Sequence, residues 1–180
     1  GQTITTKPTS ELTQSDMISY MVGREMTQMF PTIAHTAGEV TMEIENWVVR
    51  DPEVSHKYLV DHANIQVRKG EVLGIAGLMG AGRTELAMSI FGAMHADSGV
   101  IHLNGKKYSP FKAPKQALRA GIGYLTEDRK VYGLILSQDI KTNMTLSCLE
   151  SFVEHGVINQ DKEHAAVHDG IQSLRIKTPS

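Results

Sequence analysis

The sequence predicts an α/β fold, and three observations support this prediction. Apolar and polar residues alternate over 40–45 and again over 63–67, which is typical of half-buried strands. The run VLGIAG at 72–77 is continuously apolar, as in a strand covered on both faces, and a helical pattern follows it. Asn104-Gly105 lies between two short extended segments and predicts a hairpin. Strands and helices therefore alternate through the middle of the chain.

Residues 1–38 are predicted to be separate from this fold. Thr13 and Asp16 suit the start of a helix, because a threonine hydroxyl can cap free amides and an acidic residue favours the first turn. Residues at helical spacing should give this helix one buried face: Met17, Ile18, Met21 and Val22. Pro31 and the residues behind it are typical of a linker. We therefore place a domain boundary between residues 38 and 39, with 39–180 as the second unit.

The later part of the chain continues the alternation. The sequence GIGYLTE predicts a second buried strand at 121–127. Apolar spacing predicts further helices over 83–93, 114–120, 140–150 and 161–175.

Composition excludes several classes of function. The 18 basic and 20 acidic residues give a net charge of −2, so we expect no nucleic-acid partner. A single cysteine cannot form an internal disulfide, which fits a reducing compartment. No apolar run approaches the roughly 20 residues that span a bilayer. The first residue is Gly1 rather than methionine, which suggests processing or a piece of a longer protein.

The segment 77–84 has the pattern of a phosphate-binding loop, with a strand pattern before it and a helical pattern after it. Glycines allow successive backbone amides to curl around an anion, and the following helix adds its own free amides. The hydroxyl of Thr84 would bind a magnesium ion. The residues expected to hold a nucleotide are Gly77, Leu78, Met79, Gly80, Ala81, Gly82, Arg83, Thr84 and Glu85.

Arg83 stands where such a loop normally carries lysine. A planar guanidinium cannot occupy the position of a compact ammonium, so we expect nucleotide binding with slow hydrolysis. A dinucleotide fingerprint would need a small residue at position 85, and Glu85 excludes it. A glycine-rich turn without a ligand remains the alternative at this point.

Other candidate sites are weaker. His164 and His168 have a helical spacing that can hold zinc, but no third ligand stands out, and an exposed helix face is expected. Glu163 and Asp169 are expected to keep that face soluble. Cys148 is predicted to be a small buried apolar side chain rather than a nucleophile.

Four stretches, in order, resemble the ATP-binding subunits of bacterial sugar importers of the ABC transporter class, of the ribose, xylose and galactose type. These subunits carry two nucleotide-binding halves in tandem. The resemblance covers nearly the whole chain. The matching stretches are LTQSDMISYMVGREM, KGEVLGIAGLMGAGRTEL, GIGYLTEDRKVYGLILSQDIKTNMTL and LRIKTPS.

The resemblance implies that residues 1–38 are the tail of a preceding nucleotide-binding half with its linker, and that residues 39–180 are the N-terminal part of a second nucleotide-binding domain. It implies the P-loop fold for that domain, with an antiparallel β subdomain and a short helical tail before it. It implies ATP and Mg²⁺ as cofactors, bound by a degenerate Walker A loop. Glu127 takes the place of a glutamine that approaches the metal and the attacking water. A carboxylate there could bind the metal with Thr84, but it cannot donate a hydrogen bond. The alternative is that residues 127–130 are a solvated, self-paired charge run.

An aromatic residue upstream of the loop stacks on adenine in this family. Tyr58 and Trp47 are the candidates, and spacing selects neither, although core packing is the expected role of Trp47. The implied partners are a second nucleotide-binding domain and membrane permease subunits. The implied location is peripheral, on the cytoplasmic face of the bacterial inner membrane.

The stretches that this family uses for hydrolysis have no counterpart in these 180 residues. Neither the signature motif, nor the second acidic motif with its glutamate, nor the switch histidine is recognisable. We therefore assign no catalytic residue and expect this polypeptide alone to show no turnover. A non-catalytic half that completes a partner's site remains open, and a free-standing P-loop kinase is disfavoured. A P-loop strand without its neighbour should expose a sheet edge.

Overall fold

A computed structural model describes residues 2–23, 36–54 and 56–178 of the chain. Its main sheet is antiparallel, with the strand order β2-β1-β3-β4. The strands are β1 (Val40–Arg50), β2 (Tyr58–Arg68), β3 (Ser98–Leu103) and β4 (Lys106–Tyr108). Both strands predicted from alternation are confirmed, and each is longer than its sequence pattern. The linker predicted from Pro31 begins at positions outside the described residues.

β1 is longer than predicted because a bulge changes which side chains face the core. Val40 is exposed and Ile44 is buried, and the pairing register with β2 shifts between Val40 and Met42 and again between Ile44 and Trp47. Asn46 adopts a φ of 49° in the bulge, and its amide donates to Asn64 Oδ1 at 2.9 Å. Beyond the bulge, three successive residues are buried, including Val49.

The predicted hairpin is confirmed between β3 and β4. Asn104 and Gly105 have φ values of 49° and 75°, as a two-residue turn with two left-handed positions requires. Short side chains such as asparagine tolerate this conformation better than most residues.

In the described part of the chain, five α-helices accompany the sheet, together with 3-10 turns and a two-stranded hairpin of β5 (Val153–Glu154) and β6 (Val157–Ile158). Helix α4 gives way to a 3-10 helix over Leu146–Phe152, so it is shorter than predicted. The helices are α1 (Gln14–Val22), α2 (Arg83–Ile90), α3 (Pro114–Ala120), α4 (Ile140–Thr145) and α5 (Gln160–Leu174). Within the described ranges, no helix has the length and apolar character to cross a membrane.

Helix α1 begins as the sequence predicts but does not bury a face. Thr13 Oγ1 accepts from the Asp16 amide at 3.1 Å, and the Asp16 carboxylate accepts from the Thr13 amide at 3.0 Å. No residue of α1 is buried, and Met21 is among the most exposed. The prediction of a buried face is wrong, because nothing in the described part of the chain covers it.

The core lies between the sheet and the helices α2 and α3. Trp47 is fully buried at its centre, and its indole N–H donates to Ser89 Oγ at 2.8 Å. Ser89 in turn donates to the Leu86 carbonyl of α2 at 2.9 Å. Trp47 is therefore a core residue, as expected, and it fixes α2 against the sheet. The core cluster contains Ile44, Trp47, Val49, Val60, Leu86, Ala96, Ile101, Leu103, Phe111 and Ala117.

Two predicted buried strands, 72–77 and 121–127, are absent. Neither segment pairs in a ladder with any described strand, and neither has regular secondary structure. Val72 is 90% exposed and Leu125 is 95% exposed. A continuous apolar run becomes a buried strand only when strands flank it and helices cover it. The described residues provide no such neighbours, so these predictions are wrong for this chain.

Two predictions for the C-terminal part are also wrong. Glu163 is buried rather than solvating α5: it accepts from Thr145 Oγ1 at 2.8 Å and pairs with Lys141 Nζ at 3.2 Å. Cys148 is exposed, because its backbone leaves the helical region at φ −126° and ends the predicted helical face.

The Glu163 network predicts sensitivity to acid. The Thr145 hydrogen bond and then the Lys141 ammonium hold the pKa of Glu163 below its ordinary value, although burial opposes them. Because the folded-state pKa is lowered, the ionised carboxylate of Glu163 stabilises the fold above about pH 5. This contribution is lost as the pH falls through the folded-state pKa. We expect Glu163→Gln to lower the urea midpoint at pH 7 and to reduce its fall between pH 7 and pH 4. Glu53→Gln, at an exposed position, serves as the control. Equal urea midpoints at pH 7 for the wild type, Glu163→Gln and Glu53→Gln would contradict this prediction.

Candidate functional site

The glycine loop runs into the first turn of α2 and is shaped by two left-handed glycines. Gly80 and Gly82 have φ values of 78° and 76°, and Gly82 is the residue before the helix. A Cβ on Gly82 would lie 2.1 Å from the Leu59 carbonyl oxygen of β2. Only glycine fits there, for reasons of both conformation and space. The loop is thereby held directly against the sheet.

The loop closes on itself at Leu78. Its carbonyl accepts from the Ala81 amide at 3.1 Å and from Arg83 Nη2 at 3.4 Å. The side chains of Leu78 and Met79 point outward, and Met79 is 98% exposed. Glu85, by contrast, is half-buried in the first turn of α2.

Thr84 and Glu127, which are 43 residues apart in the chain, lie together in the structure. Thr84 Oγ1 donates to Glu127 Oε2 at 3.4 Å. Both residues line a cleft of about 720 Å³ beside the loop. A hydroxyl and a carboxylate are hard oxygen donors of the kind that Mg²⁺ prefers. These two side chains would therefore suit a magnesium ion placed at the end of the glycine loop.

The rest of the cleft combines aromatic and charged side chains. The rings of Phe91 and Tyr124 pack with centroids 5.5 Å apart on one side of it. Its remaining lining residues are Met88, Ala93, Pro114, Thr126, Asp128, Arg129, Lys130 and Tyr132.

Asp128 fixes the segment that carries Glu127. Its Oδ1 accepts from the amides of Lys130 and Val131 at 2.9 and 3.1 Å, and so caps the π-helical turn Arg129–Gly133. Among the described residues, none of the ion pairs involves positions 127–130. Residues 127–130 are all exposed, so the solvated part of the alternative agrees with the structure, whereas pairing of these charges with one another does not.

Sequence reasoning missed Asn143, which holds the segment after this turn. Its Oδ1 accepts from the Ile135 amide at 2.7 Å, and its Nδ2 donates to the Ile135 and Asp139 carbonyls at 3.0 and 2.9 Å. Such contacts depend on the path of a loop, and the only hint in the sequence is an asparagine just after the helix-capping Asp139.

The aromatic and histidine candidates differ in their exposure and in their neighbours. Trp47 is buried and cannot stack on a ligand. Tyr58 stays exposed, with the Arg50 guanidinium 5.9 Å from its ring centroid. His164 and His168 lie on the exposed side of α5, and the described residues contain no cluster suited to a metal among His, Cys, Asp and Glu alone.

Comparison with known families gives these features a context. A family model described as "ABC transporter" matches residues 60–178, a span that includes the loop, Thr84 and Glu127. The chain belongs to the ABC transporter family. This membership confirms the family resemblance and the α/β fold class that the sequence predicts.

Individual known proteins also match over almost the whole chain. One is the xylose import ATP-binding protein XylG of Thermoanaerobacter pseudethanolicus, 44% identical over 181 residues, which covers 100% of this chain and 36% of that protein. Another is the L-arabinose transport ATP-binding protein AraG of Geobacillus stearothermophilus, 45% identical over 172 residues, which covers 94% of this chain and 33% of that protein. The xylose import ATP-binding protein XylG of Brucella melitensis is 43% identical over 182 residues, which covers 99% of this chain and 35% of that protein. The chain therefore spans about a third of the length of these curated relatives.

Proposed function

We propose that this chain is part of the ATP-binding component of a sugar importer and that it binds Mg-ATP. The observation that supports this best is the convergence of Thr84 and Glu127, at 3.4 Å, beside the glycine loop. The two relatives are named for xylose import and L-arabinose transport, and these names support a sugar as the imported substrate.

In this proposal the loop 77–84 holds the phosphates and α2 presents its N-terminal amides to them. Thr84 and Glu127 bind the Mg²⁺ ion that accompanies the nucleotide. When bound, the ion neutralises phosphate charge and fixes the orientation of the phosphates. Tyr58 is the remaining candidate for contact with the base, because it is exposed and adjoins Leu59, which contacts Gly82.

The assembly and the location belong to the same proposal. We propose that residues 1–38 precede a nucleotide-binding unit that starts at 39, close to the first residue of β1. A second nucleotide-binding domain and membrane permease subunits would be its partners, at the cytoplasmic face of the inner membrane. The match to import and transport proteins supports a membrane-associated role.

One observation favours a second candidate function, a non-catalytic half with a vestigial nucleotide site. Arg83 replaces the usual lysine and its side chain contacts the loop itself. A chain of this kind would complete a partner's site rather than use its own.

The test is a titration of the full chain with a fluorescent ATP analogue, with and without Mg²⁺. We expect saturable, magnesium-dependent binding. Thr84→Ala should weaken it about 10- to 150-fold, because a hydrogen bond to a charged group contributes about 1.5–3 kcal/mol. Glu127→Gln should shift the magnesium dependence, because the ion loses a charged ligand.

Thr41→Ala is the matched control, because it removes a threonine hydroxyl from the half-buried Thr41 of β1, where that hydroxyl makes only a long contact of 3.5 Å to the Glu39 carbonyl. Equal weakening by Thr41→Ala and Thr84→Ala would count against the proposed site. No binding by the wild-type chain, together with binding by Arg83→Lys, would favour the non-catalytic candidate.

A further inference from the structure

The side chain of Arg83 folds back over the loop that precedes it. Its Nη2 donates to the Leu78 carbonyl at 3.4 Å. A Cβ placed on Gly77 would lie 3.6 Å from Arg83 Cδ and 3.8 Å from Arg83 Nε. The Arg83 side chain therefore lies beside Gly77 and bonds to Leu78, so it joins the end of the loop to its beginning.

The same carbonyl also engages an amide that a phosphate would need. Leu78 accepts from the Ala81 amide at 3.1 Å, in a turn that places Gly80 at a φ of 78°. Phosphate-binding loops depend on amides that point freely at the anion. Here the Ala81 amide is bonded within the loop, and Arg83 adds a second bond to its acceptor.

We infer that Arg83 is an internal latch, which holds the nucleotide-free loop closed until phosphates displace its guanidinium from Leu78. The inference rests on the proposed binding of Mg-ATP to this loop. Arginine suits the role because its planar guanidinium is more weakly hydrated than an ammonium and can turn a donor toward a backbone carbonyl. The closed loop and phosphate binding then exclude each other, so the latch lowers the affinity for the nucleotide.

The test compares Arg83→Ala with Arg129→Ala in the full chain. Arg129 lines the cleft that contains Thr84, so both variants remove one positive charge near the nucleotide. By calorimetry we expect Arg83→Ala to bind Mg-ATP about three-fold more tightly, the size of one modest hydrogen bond. Arg129→Ala should bind more weakly, because it removes a positive charge from the lining of the cleft. Weaker binding by Arg83→Ala would overturn the latch and would identify the guanidinium as a phosphate ligand.

Hydrogen exchange separates failure of the latch from failure of the proposed function. If no variant binds Mg-ATP, the proposed function fails, and exchange of the 80–82 amides in the nucleotide-free chain decides about the latch. Several-fold faster exchange in Arg83→Ala, but not in Arg129→Ala, would support the latch. Unchanged exchange in Arg83→Ala would overturn it.

Discussion

Gly82→Ala is expected to destabilise this chain by about 3 kcal/mol. The residue has a φ of 76°, and a left-handed conformation costs about 1–2 kcal/mol for a residue with a Cβ. The new methyl group would also lie 2.1 Å from the Leu59 carbonyl oxygen, so the loop or β2 must move. Urea unfolding followed by the fluorescence of Trp47, the single tryptophan, measures the change.

Gly80→Ala is the matched control for this prediction. Gly80 has nearly the same φ, 78°, but nothing lies within 4 Å of the position that its Cβ would take. It should therefore lose only about 1 kcal/mol, from conformation alone. Equal losses in the two variants would show that Leu59 does not restrict position 82.

Trp47→Ala is expected to have an effect of at least similar size. Its side chain is fully buried, contacts the central cluster and bonds to Ser89. Truncating a buried aromatic side chain costs about 3–5 kcal/mol. Because a domain is stable by only about 5–15 kcal/mol, we expect a large fall in the midpoint, measured by circular dichroism.

Ser89→Ala tests the polar part of this core. It leaves the buried indole N–H without its acceptor, for which we expect a smaller loss of about 1–3 kcal/mol. A loss as large as that of Trp47→Ala would mean that the hydrogen bond, rather than the packing, dominates at this position.

Sequence patterns predicted the antiparallel part of the fold well because its signals are local. Alternation placed β1 and β2, Asn104-Gly105 placed the hairpin, and Thr13 placed the start of α1. The prediction of a buried strand at 72–77 was wrong because an apolar pattern indicates only a preference for burial, and a buried strand also needs neighbouring strands. The prediction of an exposed Glu163 was wrong because its burial depends on contacts with Thr145 and Lys141, and helical periodicity does not predict such contacts.

The candidate site was predicted in parts. The loop and Thr84 follow from a motif whose spacing has a physical basis. Glu127 came from family resemblance alone, since no local pattern links it to a threonine 43 positions away. The contact between Arg83 and Leu78 could not be predicted, because it depends on one side-chain conformation. The roles of all these residues in binding remain predictions.

The most direct test of a Mg-ATP site at this loop is hydrogen exchange of the full chain with Mg-ATP, compared with ATP and a chelator. We expect slower exchange in two segments, 77–86 and 124–130, and only when magnesium is present. These segments carry Thr84 and Glu127, which the structure brings within 3.4 Å. Protection elsewhere without any in these segments, or equal protection without magnesium, would contradict a Mg-ATP site at this loop.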